Sequence, residues 1–153
     1  MRNHATLRSR RSQAGASLLE VLIAVLILAI GLLGIAALQS LTLRNTQSSS
    51  ERTAAIIQSY AMLDMMRANR AEAIARRYDT GLLCEAPEDP DASRVAGDLA
   101  RWIGQLQQSV GPTACGEIDC GAVRCQITVQ WSDARGTGNV EDLEEFQVVT
   151  ETR

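Results

Sequence analysis

The hydropathy pattern is dominated by 18 consecutive residues, Val21 to Leu38, that carry no charged or polar side chain. At about 1.5 Å per residue such a run makes ~27 Å of helix, close to the thickness of a bilayer's hydrocarbon core. After Leu38 the chain turns polar but stays helix-compatible to about Arg77, with neither proline nor glycine between Ile35 and Thr80. One long helix is the economical reading. In its second half Ile56, Tyr60 and Leu63, with Ile57 and Ala61 beside them, recur at i, i+3 and i+4, a stripe on which a folded head is expected to pack. Thr46 to Ser50 is its weak point, because hydroxyl side chains compete for helical backbone hydrogen bonds. Met62, Met65 and Met66 read as core filling rather than as an adaptable partner surface, methionine being a usual gap-filler.

Beyond the helix the periodicities shorten. From Leu82 to Asp91, Cys84, Pro87, Pro90 and four acids read as a solvated loop; a calcium site there lacks the repeating order of oxygen ligands. Ser93 is a candidate N-cap for a helix whose apolar positions Val95, Leu99, Trp102, Ile103 and Leu106 follow a 3.6 period, ended by Gly111-Pro112. Val123 to Trp131 alternates without a fault, with Val123, Cys125, Ile127, Val129 and Trp131 on one face, and is the clearest strand. Ser132 to Asn139 reads as the hairpin loop. Leu143 to Thr150 reads as the returning strand, Phe146 and Val148 inward. The expected fold class is α+β: a long amino-terminal α-helix packed on a small carboxy-terminal antiparallel β-sheet head.

Charge orients this arrangement. The fourteen residues before Gly15 hold Arg2, Arg8, Arg10, Arg11 and His4 but no acid, which predicts a cytoplasmic amino terminus and a translocated carboxyl side. A cleaved secretory signal has a shorter apolar core followed by a small-x-small site, whereas here the small residues Ala14-Gly15-Ala16 precede the run. An ordinary signal anchor fits the hydropathy, but Glu20 fits it poorly. A carboxylate at the start of a membrane segment is costly and marks a functional position by default.

Arg11-Ser-Gln-Ala-Gly15, then Ala16-Ser-Leu-Leu-Glu20 and the apolar run, resembles the class III leader of type IV prepilins. Within that class the chain is most similar to the PilV-type minor pilins, through residues 17–24, Ile30-Gly-Leu-Leu-Gly34, Leu38-Gln-Ser40, Arg44-Asn45 and Asp64-Met-Met-Arg-Ala-Asn-Arg70. The resemblance covers about the first half of the chain. It implies that a prepilin peptidase cuts between Gly15 and Ala16 and that the new amine of Ala16 is methylated; Ala16 stands where many relatives have phenylalanine. It divides the chain into a cleaved leader (1–15), a transmembrane assembly half of the helix (16–38), an amphipathic half (39–78) and a disulfide-stapled head (79–153).

Glu20 also has a physical reason that is independent of that resemblance. When apolar helices stack side by side, a buried carboxylate needs a partner, and the charged amine of a neighbour's Ala16 is the nearest candidate. Gly31 and Gly34, with Ala24, Ala29, Ala36 and Ala37, offer surfaces for close helix approach, which matters because lipid is as apolar as leucine.

Composition narrows the function further. The 153 residues include 15 basic ones, all arginine, and 18 acids; without lysine there is no Schiff-base chemistry and no phosphate-loop lysine. His4, the only histidine, lies in the leader, so the processed chain is expected to lack imidazole for general-base or metal-ligand duty. Loss of the leader leaves eleven arginines against eighteen acids, a side-chain charge of −7 that repels nucleic acid. Aromatics, at 3%, are too few for stacking platforms. Cys84, Cys115, Cys120 and Cys125 all lie on the translocated side, where two disulfides are the default with three connectivities open. Zinc is disfavoured because no C-x-x-C pair occurs.

The expected function is therefore that of a non-enzymatic minor pilin of a type IV pilus, without cofactor or metal. It is inserted in the inner membrane with a periplasmic head, then incorporated into the surface filament near its initiating tip. Expected partners are the prepilin peptidase, major and other minor pilins, a pilus-tip adhesin and the lipid bilayer, with no nucleic acid. The alternatives are a minor pseudopilin of a type II secretion system and, from another class, a membrane-anchored periplasmic enzyme, against which stands the lack of a nucleophile signature such as G-x-S-x-G.

Overall fold

The structure, a computed structural model, describes residues 15, 17–121, 124–139, 141 and 143–151. The chain divides into two compact units, residues 1–40 and 41–153. In the first, the described residues are almost entirely helical, at the start of α1 (Leu18–Ala68). Every large apolar side chain from Leu18 to Leu38 is at least half exposed, and this part of the helix is long and apolar enough to cross a membrane.

The second unit is α+β. It contains the rest of α1, then α2 (Arg70–Ile74), β1 (Thr80–Leu83), α3 (Arg94–Ser109), β2 (Cys115–Cys120), β3 (Arg124–Ser132), α4 (Ala134–Thr137) and β4 (Leu143–Glu151). The strands form one antiparallel sheet in the order β1-β2-β3-β4. Three layers of side chains meet in the core: Ala55, Met62, Leu63 and Met66 from α1; Leu99, Trp102, Ile103 and Leu106 from α3; Ile118, Ile127, Val129 and Trp131 from the sheet.

Several expectations hold residue by residue. Ser93 caps α3, its hydroxyl accepting from the Ala96 N–H at 3.0 Å, and all five periodic apolar positions of that helix are buried. Cys125, Ile127, Val129 and Trp131 are buried on one face of β3; Val123 lies outside the described residues. Phe146 and Val148 on β4 pack against the core while remaining partly exposed. Met62 and Met66 are core residues.

Other expectations are corrected. The helix does not run unbroken to Arg77. It stops at Ala68, and Asn69, with φ −124° and ψ 49°, separates it from the short α2. Arg76, at φ 58°, then turns the chain in the left-handed region, which few non-glycine residues adopt. That turn brings Tyr78 into the core, where its hydroxyl accepts from Asn69 Nδ2 at 3.0 Å and donates to Asp98 Oδ2 at 2.6 Å.

The packing stripe of α1 is only partly the expected one: Leu63 is buried, as expected, but its neighbours in the stripe are not. Ile56, Ile57 and Tyr60 are 36%, 58% and 52% exposed, and the buried face is Glu51, Ala55, Ser59, Met62, Leu63 and Met66. The reason is Trp102. Its indole Nε1 donates to the Gln58 carbonyl at 3.1 Å, which draws the ring to the helix backbone, and the buried face there carries the small residues Ala55 and Ser59. Ser59 satisfies its own buried hydroxyl by donating to the Ala55 carbonyl at 2.8 Å.

Leu82 and Leu83, expected in a loop, belong to β1, and the hairpin loop after β3 contains the single turn α4. β2 has its inward positions at Gly116, Ile118 and Cys120. Gly116 is inward because the Trp102 indole covers it: a Cβ there would overlap the ring.

Candidate functional site

Glu20 lies in the first turn of α1 and is exposed. A carboxylate at that end of a helix is favoured by the partial positive charge of the unsatisfied backbone N–H groups, by about 0.3–1 kcal/mol. No hydrogen bond or ion pair reaches its side chain among the described residues, so whatever neutralises it in an apolar environment must come from outside the described chain. Gly15 is exposed three residues before the helix begins, while Ala16, the expected new terminus, lies outside the described residues. Gly31 and Gly34 are bare on the helix surface, with nothing within 4 Å of the position a Cβ would take. Among the described residues, their lack of a side chain serves no packing need. Glu20, Gly31 and Gly34 are thus all exposed on α1.

In the head, the four cysteines pair as Cys84–Cys115 and Cys120–Cys125. The sheet register dictates this. Cys120 and Cys125 are direct cross-strand partners of β2 and β3. Leu83 pairs with Gly116, which sets Cys84, one residue on, beside Cys115. Among the described residues, no group of three or more His, Cys, Asp or Glu side chains gathers as a metal centre would.

Sequence reasoning missed a polar clamp between α1 and the turn after β3. Glu51 is 1% exposed and pairs with Arg135 Nε at 2.7 Å, while Gln47 Nε2 donates to the same oxygen at 3.0 Å. Arg135 also donates to the Val110 carbonyl at the end of α3. One turn before Glu51, Ser48 donates to Asp133 Oδ2 at 2.8 Å, and on the exposed side Arg52 pairs with Glu144 at 2.6 Å. Three elements are thereby held to one stretch of α1. The available signal was Glu51's place one turn before Ala55 on the face of Ser59, Met62 and Met66, where an acid has to be paired to be buried.

The described fold is α+β and pilin-like, with an apolar amino-terminal helix suited to membrane anchoring and the later part of α1 packed on a small four-stranded head. Residues 10–36 match the prokaryotic N-terminal methylation motif. That motif supports a type IV prepilin-like protein, a structural subunit rather than an enzyme, and implies in general terms a prepilin peptidase and pilin partners. No curated protein and no solved structure matches the chain significantly.

Proposed function

We propose that this protein is a minor pilin, most like the PilV type, that enters the inner membrane through α1, is cut between Gly15 and Ala16, is methylated on Ala16 and joins a type IV pilus near its initiating tip. The observation that carries the reading is the methylation motif at residues 10–36, whose helical part, residues 18–36, exposes its apolar side chains, Glu20 and both glycines. In this reading residues 1–15 are the leader, 16–38 the assembly helix, 39–78 its amphipathic continuation and 79–153 the periplasmic head. The basic leader supports a cytoplasmic amino terminus by the positive-inside rule.

Glu20 pairs with the methylated amine of a neighbouring subunit. Pairing offsets a desolvation cost of several kcal/mol per buried ion and sets the axial register between subunits. Other pilins and a tip adhesin are the partners.

The intact mass and amino-terminal sequence of protein purified from native membranes and from sheared surface filaments test this. The expected protein begins at Ala16, carries one methyl group, retains both disulfides and occurs in the filament fraction. A mature chain beginning at Met1, or cut beyond Ala37, refutes the processing. Processed protein that never reaches sheared filaments, and whose deletion stops secretion of folded exoproteins while leaving pili intact, replaces the pilus by a type II secretion rod.

A further inference from the structure

The two edges of the sheet are protected very differently. β1 is four residues long, changes register between Thr80 and Leu83, and is stapled to β2 immediately afterwards by Cys84–Cys115. Shortness and irregularity are the usual devices that stop a sheet edge from recruiting another strand. β4 has neither. It runs nine residues and pairs with β3 in unbroken register from Ser132↔Leu143 to Arg124↔Glu151. No described strand flanks its other side. A regular strand of this length presents a row of backbone donors and acceptors at ~3.4 Å per residue, which is the template used in strand addition.

Its side chains are patterned as well. Phe146 and Val148 lie on the core side of β4 yet are only partly buried, so the border of the core is open along this edge. Val149, on the opposite face, is 54% exposed. Charge is all of one sign: Glu141, Asp142, Glu144, Glu145 and Glu151 occur between residues 141 and 151 with no base among them. Glu144 is met by Arg52, whereas Glu141 and Glu145 are exposed. Two copies of this strand would bring six acids together, three from each copy, and like charges on adjacent strands oppose pairing.

We infer that the outer edge of β4 is a docking site for an extended segment of a different protein, one that continues the sheet and carries basic residues where it meets Glu141 and Glu145. The added strand completes the apolar border at Phe146 and Val148, and its cations supply specificity. This inference rests on the edges of the sheet alone and is independent of how the amino terminus is processed.

The test uses the full chain in detergent micelles and two synthetic nine-residue peptides. Both alternate threonine and valine; one carries two arginines at one end and the other two glutamates. Amide hydrogen exchange is followed strand by strand. The arginine peptide is expected to slow exchange of β4 amides at least tenfold and to bind about tenfold more tightly than the glutamate peptide. Glu145→Arg, a change at an exposed position, is expected to abolish that preference while the β3 amides keep their protection. Equal affinity for the two peptides overturns the inference, as does protection at β1 instead of β4. So does β4 protection that grows with protein concentration alone, which makes a second copy the occupant.

Discussion

Removing the guanidinium of the buried clamp should cost the head more than any surface ion pair could. Arg135→Met leaves Glu51, 1% exposed, with Gln47 as its one remaining side-chain donor, and its Oε2 has no partner in the described structure. Stripping the partner from a buried charge typically costs about 3–5 kcal/mol. Because the Arg135 side chain is 50% exposed, solvent screens part of the pair and about 2–3 kcal/mol is the better expectation. For a folded unit of this size that corresponds to a fall in melting temperature of very roughly 10–20 °C. The companion change Glu51→Met in the Arg135→Met background removes the uncompensated charge, and replacing a buried pair with apolar residues is often neutral. The double variant should therefore recover most of the loss. Urea unfolding of the three variants and the wild type, followed by tryptophan fluorescence, closes the cycle; Trp102 and Trp131 are both core residues. An Arg135→Met protein within about 0.5 kcal/mol of the wild type, or a double variant no more stable than the single one, refutes the argument that the charge, rather than the packing, is what the pair secures.

Two further perturbations separate the parts of the head. Burial, with the hydrogen bond to Asp98 adding to it, pushes the Tyr78 phenol up from 10.0 to about 12. Stability from this raised group is fully present below pH ~10 and is lost as pH rises through about 12, a change on the order of 2 kcal/mol; Tyr78→Phe should flatten that alkaline fall in urea midpoints, and an unchanged fall refutes the assignment. Stepwise reduction with differential alkylation should open Cys84–Cys115, in which Cys84 is exposed and Cys115 half-buried, before Cys120–Cys125, which is buried. Spanning 31 residues rather than 5, the first bridge should also matter more, about 4 against about 2 kcal/mol by chain entropy, and the reverse order of either effect contradicts this.

How much of this fold the sequence discloses depends on whether one element's pattern is sufficient. α3 is legible because Ser93 and a 3.6-residue apolar period agree, and β3 because its alternation has no rival reading. β2 is not legible in the same way: Cys-Gly-Glu-Ile-Asp-Cys has one bulky apolar residue, and its inward Gly116 makes sense only once Trp102 is known to lie over it. The face of α1 illustrates the same limit. Ile56, Ile57 and Tyr60 and the sequence Ala55, Ser59, Met62, Met66 are both periodic, and hydrophobicity favours the first. The docking of Trp102 against the Gln58 carbonyl selects the second, a choice made by a partner 44 residues away. Cysteine pairing likewise waits on strand register. At the amino terminus the reverse holds: Glu20, Gly31 and Gly34 are picked out by the sequence, and among the described residues no hydrogen bond, ion pair or close contact engages them.

That outward display leads to a sharp expectation for Gly34. A Cβ there meets nothing within 4 Å, so Gly34→Leu strains no contact within the described chain. In a helix interior the change is favourable by roughly 0.5–1 kcal/mol, and it makes the segment more apolar, so membrane insertion should be undiminished. Between helices the balance reverses. Helices in lipid gain little from hydrophobicity and associate through close approach at small residues, where an inserted side chain overpacks at a typical cost of about 1–3 kcal/mol. A filament repeats that cost at every interface the subunit makes. Gly34→Leu should thus leave the urea midpoint of the head and the membrane-bound amount unchanged, while crosslinking to other pilin subunits and the number of surface filaments fall several-fold. Gly34→Ala, which adds a single methyl group, should lose much less. Wild-type crosslinking and filament counts for Gly34→Leu would mean that the glycine face meets only lipid, and would leave the head as the surface through which this protein joins its partners.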